Sequence, residues 1–117
     1  MATVTKMTLS GSTNGKQILI AATVSSSATP IHTAVAGTSS IDEIYLYATN
    51  NATASISCSI LWGGTANPAD VTTAILNPTI GRTLLADGRL LQNGLIIGAY
   101  ASIANWVVVD GFINRIV

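Results

Sequence analysis

The stretch from Tyr45 to Gly64, YLYATNNATASISCSILWGG, decides how this chain is read. It alternates like a strand, passes a soft polar tip, and alternates again without one charged side chain. Successive side chains of a strand point to opposite faces. From Ile41 to Thr49 this puts Ile44, Leu46 and Ala48 on one face and Glu43, Tyr45 and Tyr47 on the other. Asn50 and Asn51 form the tip, where asparagine tolerates turn geometry. Ser55 to Trp62 then returns with Ile56, Cys58, Ile60 and Trp62 inward. The segment reads as a hairpin whose outer face sets Tyr45 and Tyr47 beside Ser57 and Ser59. Tyrosine supplies rigid contact area and serine adaptable hydrogen bonds, so these four residues are the candidate protein interface.

Working outward, helical periodicity is nearly absent, while alternation and turn dipeptides recur. Thr3 to Leu9 and Lys16 to Val24 read as strands around the turn GSTNG, and Ile31 to Val35 as a short strand after the loop SSSATP. Val71 to Leu76 fits either a strand or a helical turn capped by Asp70. Arg82 to Ala86, Arg89 to Gln92, Leu95 to Ser102 and Trp106 to Ile116 follow. Asp87-Gly88 and Asn93-Gly94 lie between them as expected hairpin turns, and Gly111 as an expected bulge. About eight short antiparallel strands in residues 1–117 imply an all-β, single-domain β-sandwich, immunoglobulin-like or jelly-roll. Residues 1–30 are expected to be edge strands or an arm reaching a neighbouring subunit.

Composition narrows the function. The chain has 117 residues, enough to bury roughly two thirds of its unfolded surface without a metal or disulfide staple. Charged residues make up 9%, against about 25% in an ordinary soluble domain, and the formal net charge is zero. Near-zero charge favours association over repulsion. Five basic residues spread along the chain form no stripe for phosphates, so no nucleic-acid partner is expected. The apolar run from Leu95 to Val109 is broken by Gly98, Ser102 and Asn105 and falls short of the roughly 20 residues of a membrane helix. ILIAATV is too short for a secretory signal, so Asn51-Ala52-Thr53 reads as a loop rather than a glycosylation site.

No catalytic constellation emerges. His32 is the only histidine, no G-x-S-x-G elbow accompanies it, and it reads as a hydrogen-bonded strand residue. One histidine and Cys58, the single cysteine, do not make a zinc shell, and Cys58 reads as a small buried hydrophobe. Asp42 and Glu43 are adjacent on a strand, so they point apart and cannot flank one glycosidic bond. Asp110, in an apolar strand, calls for an arginine partner among Arg82, Arg89 and Arg115. GSTNGK lacks the spacing of a phosphate-binding loop. Trp62 and Trp106 read as core residues, with sugar stacking as the other use of such rings. No enzyme and no cofactor are expected.

Three stretches together resemble a known class: IHTAVAGTSSIDEIYLYATNN (residues 31–51), ILWGGT (60–65) and NGLIIGAYASIANWVVVDGFINRI (93–116). They are similar to small virion structural proteins of tailed bacteriophages, above all capsid decoration (cement) proteins. The resemblance implies a β-rich subunit, made in the host cytoplasm and placed on the capsid exterior. It implies the assembled major capsid protein as partner and self-association, often as a trimer. Neck, tail or fibre-base components and a glycan- or receptor-binding module are the alternatives.

Overall fold

Alternation becomes burial along the strand Ile41–Asn50, whose residues 42, 44, 46, 48 and 50 are buried while the intervening ones are half-covered. A computed structural model describes residues 2–117. Its strands are β1 (Val4–Thr8), β2 (Ile18–Leu19), β3 (Thr29–Thr33), β4 (Ile41–Asn50), β5 (Ile56–Trp62), β6 (Val71–Leu76), β7 (Thr83–Leu91), β8 (Ile96–Ala101) and β9 (Val107–Ile116). A 3₁₀ turn spans Ser25–Ser27. The strands form two antiparallel sheets, one ordered β1-β9-β4-β7 with β2 also on β9, the other β3-β8-β5-β6.

The two sheets pack face to face over one core. Ile44, Leu46, Val107, Val109 and Ile113 enter it from the first sheet, Ile31, Ile56, Cys58, Ile60 and Ile97 from the second. Each fully buried aliphatic side chain of this kind stabilises the fold by roughly 1.5–3 kcal/mol. β1 and β2 lie along the same edge of β9, pairing with residues 112–116 and 108–109. They are one strand position interrupted by the excursion Leu9 to Gln17. Counted so, eight positions divide into two four-stranded sheets in jelly-roll order, which chooses between the two expected topologies.

The structure corrects several local readings. β4 and β5 do not form a hairpin, because each pairs only within its own sheet. Residues 51–55 lift the chain from one sheet to the other. Asn50 ties that corner, its Nδ2 donating to the carbonyls of Ala54 and Leu76 and its Oδ1 accepting the Ala52 N–H, all at 2.9 Å. Asp87-Gly88 is no turn either. β7 continues through it, and Gly88, at φ 71°, is the extra residue where Ile44 opposes Arg89 and Tyr45 opposes Asp87. Asn93-Gly94 does turn, both residues at positive φ, but it joins β7 to β8 across the two sheets. Gly111 keeps the register of β9 against β4 unbroken, so it is not a bulge. The expected second strand shrinks to two residues, and Val71–Leu76 resolves as a strand.

Candidate interaction surfaces

The outer face of the β1-β9-β4-β7 sheet carries the two tyrosines. Tyr45 opposes Phe112 in the ladder and stacks on it, with ring centroids 4.7 Å apart. The Lys6 ammonium sits 4.7 Å over the Phe112 ring. The Tyr45 hydroxyl donates to Glu43 Oε1 at 3.2 Å, and Asn114 Nδ2 donates to the same oxygen at 3.0 Å. Desolvation and the neighbouring Glu43 carboxylate push the Tyr45 hydroxyl pKa up. The Arg82 guanidinium lies 4.0 Å over the Tyr47 ring and reaches Asp110 Oδ2 at 3.0 Å. This face is charged, and its aromatic rings already have partners from the same chain.

The outer face of the β3-β8-β5-β6 sheet is different. Its four strands contain no Asp, Glu, Lys or Arg. Ser59 sits between Tyr100 and Thr73 in the ladder, its hydroxyl 2.9 Å from that of Thr73. Ser57 lies beside Ile75, and its N–H donates to Ser102 Oγ at 3.1 Å. A shallow groove of about 440 Å³ runs over Leu61 and Gly98, bordered by Ser26, Pro30, Gly64 and Ile96. Ile75 and Ile96 stand exposed on this face.

The expected four-residue face is therefore split. Tyr45 and Tyr47 lie outside one sheet, and Ser57 and Ser59 outside the other. The error follows from the hairpin reading, since pairing β4 with β5 would have put all four side by side. The distribution of charge among the strands is the signal that separates the faces.

At the end of the core, Asp42 is fully buried and both its carboxylate oxygens are hydrogen-bonded. Arg115 grips it with two hydrogen bonds, Nε to Oδ1 at 2.8 Å and Nη2 to Oδ2 at 3.0 Å. Oδ2 also accepts from the Val35 N–H at 3.0 Å and lies 2.8 Å from His32 Nε2. His32 Nδ1 accepts the Ser10 N–H at 3.0 Å, so Nε2 carries the proton and donates to Asp42. Burial alone would raise the Asp42 pKa, but hydrogen bonds from Arg115 and His32, the Arg115 charge and the Val35 N–H outweigh it and hold it below the usual value. Both imidazole nitrogens are thus engaged, and Ser10 Oγ is turned away to accept the Thr33 N–H at 2.7 Å. The cluster pins β3, β4 and β9 to one another. Of the three arginines expected as partners for Asp110, Arg82 is the one that pairs with it, while Arg115 goes to Asp42.

Trp62 packs against the core rim with the Arg89 guanidinium 4.0 Å over its ring. Trp106 is 49% exposed, contrary to expectation, because β9 turns Val107 and Val109 inward and its even-numbered neighbours outward. Among the described residues, no group of three or more His, Cys, Asp or Glu side chains is placed to hold a metal ion. Among the same residues, no helix is long and apolar enough to cross a membrane. Neither family models, nor curated proteins, nor solved structures match this chain.

Proposed function

We propose that this chain is a non-enzymatic virion subunit that decorates a phage capsid, with the outer face of the β3-β8-β5-β6 sheet laid on the assembled major capsid protein. The observation that carries the reading is the confinement of strand charge to the other sheet. Charged residues are depleted at the cores of protein interfaces. A neutral face of Ser, Thr, Tyr, Ile and Gly can be desolvated without stranding an ion. The resemblance of residues 31–51, 60–65 and 93–116 to decoration proteins points the same way. Jelly rolls serve both capsid and lectin domains, so the fold agrees with the reading without choosing it.

The mechanism is mechanical. A ligand that binds only the closed lattice stabilises it in proportion to affinity and occupancy, and several contacts per oligomer add avidity. Bridging contacts then resist the opening of seams strained by packaged DNA.

Two charge insertions test which face docks. Ile96→Glu places a carboxylate beside the groove, and Leu84→Glu places one on the tyrosine face; both side chains are about half exposed. The expected result is loss of binding to undecorated heads for Ile96→Glu by about tenfold or more, with Leu84→Glu and the double variant Tyr45→Ala, Tyr47→Ala unchanged. The opposite pattern would move the contact to the tyrosine face. The exposed Trp106 ring favours glycan binding as a second reading. A soluble glycan that competes for binding and shifts tryptophan fluorescence would select it.

A further inference from the structure

Sheet edges offer unpaired backbone groups to other chains, and proteins usually blunt them. β1 and β7 form edges of the first sheet, β3 and β6 of the second. β1 holds Lys6 at its centre. β7 has two register breaks and carries Asp87 and Arg89. β3 contains Pro30 and a register break, and its free side is covered: the Gly11 N–H donates to the Ile31 carbonyl at 2.9 Å, and Ser10 Oγ accepts the Thr33 N–H. β6 has no such device. Its sequence, VTTAIL, has neither charge nor proline, and Thr72, Thr73 and Ile75 are exposed, Ile75 to 73%. The Leu76 carbonyl is taken by Asn50. Among the described residues, the backbone from Thr72 to Ile75 hydrogen-bonds to no segment other than β5.

We propose that β6 pairs antiparallel with β6 of a second copy of this chain, joining the two charge-free sheets into one. The geometry of the edge calls for an extended strand, and β6 itself fits that need. A two-fold axis within β6 sets its residues against one another, all of them neutral, so no like charges meet. The same operation on β1 would bring Lys6 towards its counterpart. Pairing through β6 is also self-limiting. It leaves β3 at both ends of the joined sheet, where proline, bulge and covering loop stop further addition. The inference rests on the reading of this chain as an assembly subunit, and it doubles the uncharged docking face.

Sedimentation of the purified chain over a concentration series tests it, alongside Ile75→Lys and single-cysteine variants at residues 72, 73, 74 and 75. The expected result is a dimer that Ile75→Lys weakens by about tenfold or more with the β-sheet spectrum unchanged. One scanned cysteine, the one nearest the two-fold axis, should cross-link to its own counterpart; buried Cys58 does not interfere. A monomer at all concentrations, a trimer, or a dimer indifferent to Ile75→Lys would overturn the pairing. A monomer that still binds heads would remove the pairing alone. A dimer that ignores heads would keep the pairing and remove the capsid reading.

Discussion

Asp42 carries more hydrogen bonds on its side chain than Asn50, the other heavily bonded buried residue. Four hydrogen bonds converge on a carboxylate with no exposed surface. Asp42→Asn removes the charge and turns one carboxylate oxygen into an NH2 donor facing donors of Arg115, His32 or Val35, so it should destabilise the chain by about 3 kcal/mol in urea unfolding. The pH dependence has a definite sign. The folded pKa lies below the ordinary 3.8, so the contribution is fully present above that value and lost as pH falls through the lower folded one. Acid unfolding of Asp42→Asn should lack that component. Cys58 behaves oppositely: burial pushes its thiol up to about 11, so a thiol reagent at neutral pH should label it only once the chain unfolds. Fast labelling of the native chain would contradict its place in the core. The sequence made Cys58 legible through its alternation with Ile56 and Ile60. It did not make the Asp42 cluster legible, because Ser10, His32, Asp42 and Arg115 meet only after four segments have folded.

At the scale of the element, glycine marks where strands approach or bend. At Gly111, φ is 156° and a Cβ would overlap the Tyr45 carbonyl oxygen across the ladder. Gly111→Ala should therefore cost more than about 2 kcal/mol, read as a drop in thermal midpoint. A change under a few tenths would mean that β9 shifts easily against β4. Individual strands were legible from alternation, as β4 and β9 illustrate. Their connections were not. Asn50-Asn51 and Asp87-Gly88 have the composition of hairpin turns, yet one crosses between sheets and the other bends a single strand. Turn chemistry sets a local backbone shape, whereas the partner of each strand is decided by which faces bury together.

Across the whole molecule the decisive property is asymmetry. One outer face carries two internally paired groups, Lys6, Phe112, Tyr45 and Glu43 in one and Tyr47, Arg82 and Asp110 in the other. The other is neutral, with exposed Ile75 and Ile96 and a bare edge at β6. Low overall charge was legible as a sign of association. Its segregation to one sheet was not, because that depends on strand order, which separated Ser57 and Ser59 from the tyrosines first grouped with them. We propose that this neutral face lies on a capsid lattice. The most direct test is the copy number of the chain per purified phage particle, measured by quantitative mass spectrometry against the major capsid protein. A ratio near one to one or a simple fraction of it is the expected result. A handful of copies would place the chain at a neck, tail or fibre base, and absence from particles would contradict the virion reading outright.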